Sequence, residues 1–332
     1  MGRMNLLSNC INNATGAVEG FCLVKSVFVK NNVKGADYLD FVLADAGGEV
    51  NAKLWDYSAS VHGSYAVGDV IKVRGTINLW KDVEQLKIDR IRHKHDGDTV
   101  DMSAIVASSP VDGEEMFERI YDFAGSFSDA DLARLTRYLL RSHRERIAVY
   151  PAALRLHHAE RCGLMFHTGT MLEAAKAIVS VYKPIYPELS PDLVYAGVIL
   201  HDIAKTEELD VGELGVATAY STRGQLIGHI NMGVSMVEQA AAELQTPEEL
   251  KDLLAHILLS HHGQPEFGSP KFPMFPEAEI VSTVDRLDAQ LFEMYDALGG
   301  VETGRFTERQ WSLDNRQLYR HGHGLDKMNG RD

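Results

Sequence analysis

The pattern of apolar and polar positions changes near residue 113 of this 332-residue chain. Before that point, apolar and polar residues alternate in short runs, as they do in half-buried strands. Strands are predicted at 21–30, 38–45, 50–55, 68–80 and 83–91. A tight hairpin is predicted at 46–48, and a short helix could lie within 56–63. Five strands with such an element between the third and fourth predict an all-β OB-fold barrel, with a Sm-like or other small barrel as the alternative.

Beyond a polar, Asp- and Ser-rich link, apolar residues recur every three or four positions, which predicts helices. The predicted helices cover 114–125, 129–143, 163–182, 191–205, 228–244, 247–262 and 277–298. The fold class is therefore multidomain, an all-β barrel followed by an all-α helical bundle. The expected parts are a barrel at 1–95, a linker at 96–113, a helical domain at 114–300 and a tail at 301–332 that packs on or near the helical domain.

The acidic charge of the chain is concentrated in its helical part. The formal net charge is −14, yet residues through Lys94 carry 12 Lys and Arg against 10 Asp and Glu, and the remainder carries 21 against 37. The net charge argues against a general nucleic-acid coat, and its distribution fits two separate roles on one chain. Three cysteines without paired spacing, no secretory signal and no long apolar window predict a cytoplasmic protein without a membrane span.

Chemistry is indicated by polar residues on apolar helix faces. Taken singly, a histidine on such a face is more often a hydrogen-bonded core residue than a ligand. A set of five histidines and two aspartates on such faces would be hard to bury without a cation, since an unpaired buried charge costs several kcal/mol. Mixed imidazole and carboxylate ligands suit Mn, Fe, Co, Ni or Zn rather than Ca, and do not separate these metals. The residues concerned are His167, His201, Asp202, His229, His261, His262 and Asp285.

The order of these residues resembles the HD superfamily of metal-dependent phosphohydrolases. With a barrel in front, the chain is similar to the YhaM-type 3′–5′ exoribonucleases over nearly its whole length, and the helical part would then be an HD-domain bundle. The segments that carry the resemblance are HHAERCGLMFHT (157–168), AGVILHDIAK (196–205), GQLIGHI (224–230), LSHHGQPEFGSP (259–270), AEIVSTVDRLDA (278–289) and TERQWSLDNRQLY (307–319).

The resemblance implies two divalent ions, with manganese expected first and iron, cobalt, nickel or zinc as alternatives. It assigns His167, His201, Asp202 and Asp285 to one ion. It assigns His229, His261 and His262 to the other, with Asp202 bridging and a bridging water as nucleophile. A mononuclear site would use only the first set. Lys205 is expected to stabilise the transition state beside the catalytic Asp202, although a solvated helix-end lysine is the alternative. Arg223 and Arg286 could bind phosphate, but a surface position is the favoured interpretation for each.

The barrel offers a candidate surface for nucleic acid. If Leu39, Phe41 and Leu43 point inward, Tyr38 faces outward, and the alternation on the next strand places Lys53 and Trp55 on the same outer face. Aromatic rings there would stack bases and the lysine would meet phosphate. Phe28 and Trp80, near strand ends, could extend the surface. Alternatively, Trp55 and Trp80 cover the barrel against the helical domain.

Three functions are consistent with the sequence. The first is a metal-dependent 3′–5′ exoribonuclease on single-stranded RNA, with single-stranded DNA as a further substrate and a homo-oligomer expected from the family alone. The second is an HD phosphohydrolase of free nucleotides or cyclic dinucleotides. The third is a single-strand-binding protein with a structural metal, which metal-dependent turnover would exclude.

Overall fold

A computed structural model describes residues 17–46, 48–80, 83–154, 158–212, 214–264 and 268–323. Within these ranges the chain forms two compact units, one made mostly of residues up to Ser108 and one mostly of residues from Ser109 onward. Among the described residues, no helix combines the length and apolar character that crossing a membrane requires.

The first unit is a closed five-stranded barrel, as the alternating pattern predicts. Its strands are β1 (Ala17–Asn31), β2 (Asp37–Asp45), β3 (Gly48–Leu54), β4 (Val70–Trp80) and β5 (Val83–His93). The hydrogen-bonded order is β1-β2-β3-β5-β4, and β4 returns to β1 to close the barrel. β3 and β5 pair in parallel and the other neighbours pair antiparallel. This is an OB-like barrel, so the OB-fold prediction is confirmed.

The barrel interior is filled by the residues that the alternation places inward. Leu39, Phe41 and Leu43 of β2 are buried, as are Ala52 and Leu54 of β3. Two short helices accompany the strands: α1 (Ala59–His62), in the interval where a helix was expected, and α2 (Met102–Ile105), which contacts β1 and β2. Burial of one face of every strand fixes the register, and with it the residues left on the outer face.

The second unit is helical, in agreement with the change of period. Its helices are α3 (Gly113–Gly125), α4 (Ala130–Ser142), α5 (Arg144–Ile147), α6 (Gly163–Tyr182), α7 (Pro191–Leu200), α8 (Lys205–Glu208), α9 (Thr222–Ile227), α10 (His229–Leu244), α11 (Glu248–Ser260) and α12 (Pro276–Gly299). A hairpin of β6 (Leu209–Val211) and β7 (Ala217–Tyr220) lies between α8 and α9, and a short 3₁₀ turn covers Trp311–Leu313. This hairpin was not predicted, because strands of three and four residues are too short to show alternation.

Helix α7 lies at the centre of this unit, in contact with α4, α6, α11 and α12. Ser190 caps its start by accepting a hydrogen bond from the backbone N–H of Leu193, and Pro191 occupies the first turn, as the Ser-Pro-Asp sequence predicts. A Cβ atom on Gly197 would lie 2.8 Å from Cγ2 of Ile257. The glycine therefore permits a close approach of α7 and α11, which brings the ends of the two helices together.

The predicted helix 191–205 is wrong in its last turns, because α7 ends at Leu200. From there the backbone makes hydrogen bonds to the third residue back, as from Lys205 N–H to the carbonyl of Asp202 at 3.0 Å, and α8 begins at Lys205. These tighter turns carry the His201-Asp202 pair at the end of the buried helix.

Candidate metal centre

The first cluster joins residues from three elements of the helical unit. His167 lies on α6, His201 and Asp202 follow α7, and Asp285 lies on α12. The Nε2 atoms of His167 and His201 are 3.3 Å apart. Oδ1 of Asp285 is 3.3 Å from Nε2 of His167, and Oδ2 of Asp202 is 3.4 Å from Nε2 of His201. All four residues are buried.

The second cluster is formed by His229, in the first turn of α10, together with His261 and His262, which follow α11. Ring centroids are 4.3 Å apart for His261 and His262, and 5.2 Å apart for His229 and His262. His229 and His261 are buried, and His262 is partly exposed. The structure thus brings together the seven residues that the sequence singled out, in two adjoining groups.

Asp202 lies between the two clusters and directs one carboxylate oxygen to each. Its Oδ2 is the oxygen near His201, whereas its Oδ1 is 3.3 Å from Nε2 of His229 and 3.8 Å from Nε2 of His261. A carboxylate in this position can be shared between two ions.

Hydrogen bonds at the far side of each ring orient the imidazoles. His201 donates Nδ1–H to the carbonyl oxygen of Val198 at 2.8 Å, and His261 donates to that of Leu258 at 2.6 Å. Carboxylates serve the same purpose elsewhere, because Glu208 accepts from Nδ1 of His229 at 2.9 Å and Asp288 accepts from Nδ1 of His167. With Nδ1 engaged in this way, Nε2 of each ring faces the centre and is the atom that can bind a metal ion once it carries no proton.

The donor atoms fit a divalent cation. Asp202 Oδ1, His229 Nε2 and His261 Nε2 are buried and make no hydrogen bond to any described residue. Lone pairs facing each other in a buried site repel unless a cation lies between them. Ligand atoms about 2.1 Å from one metal ion lie roughly 3.0–3.4 Å from each other. The distances His167–His201, His167–Asp285, His201–Asp202 and His229–Asp202 are 3.3–3.4 Å, whereas His261–Asp202 and His201–Asp285 are wider, at 3.8 and 4.0 Å. Both clusters could therefore hold a metal ion, and their imidazole and carboxylate donors suit a transition metal.

The electrostatics of the centre favour the ligand forms of these groups. Burial and the neighbouring imidazoles lower the pKa of His261 and of His262, so both rings are neutral at pH 7. Burial opposes ionisation of Asp202, but Lys205 and His201 hold its pKa well below the usual range. Burial would lower the pKa of Lys205, yet Asp202 and Glu208 raise it, so the ammonium stays charged.

Lys205 lies at the edge of the first cluster, and its Nζ is 3.7 Å from Oδ2 of Asp202. It is buried, which disfavours the alternative of a solvated helix-end lysine. The two arginines proposed to bind phosphate are both exposed. Arg223 pairs with Glu207 at 3.4 Å, and Arg286 lies on α12 next to Asp285.

The sequence analysis missed Glu208. It is buried and accepts hydrogen bonds from both the backbone N–H and Nδ1 of His229, each at 2.9 Å. A Cβ atom on Gly224 would lie 2.3 Å from the carbonyl oxygen of Glu208, so the absence of a side chain there permits the close packing of α9 on α8. In the sequence, Glu207 and Glu208 form an ordinary acidic pair, and no periodic signal separates the buried Glu208 from the half-buried Glu207.

On the barrel, Tyr38, Lys53 and Trp55 lie together on the outer face of β2 and the end of β3. The rings of Tyr38 and Trp55 are 4.6 Å apart between centroids, and Nζ of Lys53 is 5.3 Å from each centroid. Trp55 is 37% exposed and Phe28 is 60% exposed. The side chain of Trp80 lies outside the described residues.

Residues 164–290 match the family model of the HD domain. This domain belongs to the superfamily of metal-dependent phosphohydrolases, whose members bind divalent metals. The matched range contains every residue of the two clusters, and it indicates a metal-dependent phosphohydrolase.

About a quarter of this chain is similar to each of three solved structures. A chain of a replication protein A heterotrimer bound to ssDNA is 16% identical, with 24% of this chain and 59% of that chain covered at a TM-score of 0.20. The second OB-fold domain of replication protein A from Methanococcus maripaludis is 16% identical, with 26% and 88% covered at 0.20. A small single-stranded DNA-binding protein from Streptomyces coelicolor is 17% identical, with 26% and 97% covered at 0.22. The OB-like assignment itself rests on the strand order.

Proposed function

We propose that this protein is a metal-dependent 3′–5′ exoribonuclease that hydrolyses the phosphodiester bonds of single-stranded RNA. The observation that carries the proposal is the convergence of imidazole Nε2 atoms on the two oxygens of Asp202, with each Nδ1 engaged elsewhere. The resemblance of the ordered HD residues behind a barrel to YhaM-type enzymes supports the choice of substrate and polarity.

In this proposal the two units of the chain have different roles. Residues 1–95 would bind the strand, with Tyr38 and Trp55 stacking bases and Lys53 placed for a phosphate. Residues 114–300 would hold the metals, with His167, His201, Asp202 and Asp285 on one side and His229, His261 and His262 on the other. Asp202 would serve both.

Bound divalent cations, for which manganese is the first candidate, supply a water of lowered pKa and neutralise charge on the phosphoryl oxygens. The protein's own contribution is orientation and charge. The Nδ1 hydrogen bonds to Val198, Leu258, Glu208 and Asp288 hold the imidazoles in one tautomer. Lys205, kept charged by its carboxylate neighbours, would contact a non-bridging oxygen of the scissile phosphate, where negative charge accumulates as the bond breaks.

The test uses metal-stripped full-length protein with 3′-labelled and 5′-labelled single-stranded RNA and matching DNA, with and without Mn²⁺. The variant Asp202→Ala removes the shared carboxylate. Asp252→Ala, on the exposed side of α11, is the matched control. Metal-dependent shortening from the 3′ end that is lost only in Asp202→Ala supports the proposal.

Other outcomes are equally informative. Equal shortening of DNA would widen the substrate to any single strand. Intact RNA and DNA together with hydrolysis of cyclic dinucleotides or free nucleotides would overturn the exonuclease and retain the phosphohydrolase. Strand binding without turnover of any of these substrates would favour a binding protein with a structural metal.

A further inference from the structure

His158 is a buried histidine outside both metal clusters. It precedes α6, is 2% exposed and belongs to the helical unit. Its Nε2 atom lies 2.9 Å from Oδ2 of Asp288, and the same oxygen accepts a hydrogen bond from Nδ1 of His167 at 2.7 Å. Because a carboxylate accepts hydrogen bonds, both rings donate to it. One oxygen of Asp288 therefore joins His158 to a residue of the first cluster.

The backbone holds His158 in an unusual conformation. Its φ of 52° lies in the left-handed region, which non-glycine residues seldom adopt. Its carbonyl oxygen accepts a hydrogen bond from Ala152 N–H at 2.9 Å. A Cβ atom on Gly163 would lie 2.0 Å from that oxygen, so only glycine fits there without a shift of the backbone. The fold thus maintains a strained residue at this position, which is typical of residues that serve a site.

Two aromatic rings fix the imidazole itself. The centroid of Phe292 is 4.0 Å from that of His158, and the ring of Phe166 lies edge-on at 5.1 Å. Nδ1 of His158 is 3.8 Å from a carboxylate oxygen of Glu160. Packed against these two rings, the imidazole directs Nε2 toward Asp288.

We propose that His158 is a positioning residue that orients His167 through Asp288. A carboxylate that receives a single hydrogen bond can rotate about its own bond. A second donor to the same oxygen removes that freedom. The hydrogen bonds from His158 to Asp288 and from His167 to Asp288 then fix the direction of His167 Nε2. In this role His158 would act through Asp288 and not as a ligand of the metal or the substrate. The role at the metal rests on the proposed function, whereas the effect on His167 does not.

Three variants separate the hydrogen bond from packing. His158→Leu removes the donor and keeps an apolar side chain of similar size. His158→Gln places an amide N–H near the former Nε2 and should rescue the interaction. Phe292→Leu loosens the ring packing and leaves the donor. Thermal unfolding of each metal-free variant checks folding, and His158→Asn, which tolerates a positive φ, replaces His158→Leu if that variant does not fold.

The first readout needs no metal. In ¹⁵N-labelled metal-free protein, the Nδ1–H resonance of His167 should shift or broaden in His158→Leu and return toward the wild-type position in His158→Gln. Phe292→Leu should leave it nearly unchanged. A His167 resonance that is the same in His158→Leu as in wild type would overturn the positioning role.

The second readout is Co²⁺ binding, followed by the visible absorption of the bound ion. His158→Leu should bind Co²⁺ about 10- to 100-fold more weakly, as for other residues that orient metal-binding histidines, with an altered spectrum, and His158→Gln should stay close to wild type. Unchanged affinity and spectrum in His158→Leu would count against the proposal. RNA hydrolysis by the wild type is measured separately, so its absence would overturn the proposed function while the resonance of His167 still decides the role of His158.

Discussion

His201 and His261 end neighbouring helices in the same way: each donates its Nδ1–H to the carbonyl oxygen three residues earlier, at 2.8 Å and 2.6 Å respectively. The last carbonyl groups of a helix have no partner within the helix, so the imidazole satisfies one of them and is oriented in return. Their ring centroids are 5.1 Å apart. The paired helix ends therefore place Nε2 of His201 near one carboxylate oxygen of Asp202 and Nε2 of His261 near the other.

Glu208→Gln should weaken metal binding at the second cluster. The amide keeps the shape of the side chain but loses the charge that holds Nδ1 of His229, and loss of such a partner costs about 10- to 100-fold in metal affinity. Titration with Mn²⁺ followed by electron paramagnetic resonance measures the affinity. Glu207→Gln, a neighbour that pairs with Arg223 at the surface, is the control and should bind as wild type.

Metal binding should release a proton from His167. Burial alone would lower its pKa, but the hydrogen bonds to Asp285 and Asp288 outweigh burial and raise the pKa to about 9. In metal-free protein this ring is charged at pH 7, and a cation must displace the proton. Calorimetric titration at pH 7.5 in two buffers of different ionisation enthalpy should show the difference that about one released proton produces. Identical heats in the two buffers would contradict this expectation.

The raised pKa of His167 also makes the stability of the metal-free protein depend on pH. Since the folded value lies above the ordinary histidine value of about 6.5, the contribution of charged His167 to folding is complete below pH 6.5 and is lost as the pH rises through 9. Urea unfolding of metal-free protein should therefore show a decline between these values that is smaller in His167→Gln. An equal decline in both proteins would assign it to other groups.

Trp55→Ala should impair use of long RNA and spare short substrates. Stacking on an aromatic side chain contributes about 1–3 kcal/mol per base, so the KM for a long single strand should rise roughly 5- to 150-fold with little change in kcat. A dinucleotide, too short to require the barrel, should be hydrolysed at the wild-type rate. Trp311→Ala removes an equally large exposed side chain in the other unit and is the control. Equal effects on both substrate lengths would place Trp55 outside the binding surface.

Lys205→Met should lower kcat while leaving metal content intact. The methionine fills the same buried space without the charge, and removal of one group that stabilises developing negative charge typically costs about 10²- to 10³-fold. Metal analysis beside the rate measurement distinguishes this from loss of the ions. Lys251→Met, on α11, should have wild-type kcat. A Lys205→Met protein with normal kcat would show that the lysine only neutralises the negative charge of Asp202.

The barrel should be sensitive to a methyl group at Gly75. A Cβ atom there would lie 2.0 Å from the backbone carbonyl oxygen of Lys87, at the irregularity where β4 and β5 change register. Overpacking against backbone costs about 1–3 kcal/mol or more, so Gly75→Ala should lower the unfolding midpoint of the barrel. Gly97→Ala, with open space around it, is the control. A stable Gly75→Ala protein would mean that the strands separate easily at this point.

The sequence predicted much of this arrangement because burial leaves a strong signal. A histidine–aspartate pair follows the apolar run VYAGVIL, and histidines occupy positions on the apolar stripes of α6 and α10. Polar residues at positions where the helix period predicts apolar ones identify the clusters. Glu208 and His158 left no such signal. Glu208 depends on packing between α8 and α9, and His158 depends on a left-handed backbone that Gly163 permits. Both features depend on how separate elements pack in three dimensions, and such packing leaves no periodic pattern in the sequence.

β1 pairs with two different strands along its length, with β4 through Ala17–Leu23 and with β2 through Leu23–Asn31. The pairing with β2 joins residues close in sequence, whereas Ala17 meets Thr76 and Leu23 meets Val70. Pairing of residues so distant in sequence requires closure of a long loop, and the chain loses entropy in this step before any hydrogen bond forms. During synthesis on the ribosome, the β1-β2-β3 meander can therefore form as soon as it emerges, but closure of the barrel must wait until β4 and β5 have followed.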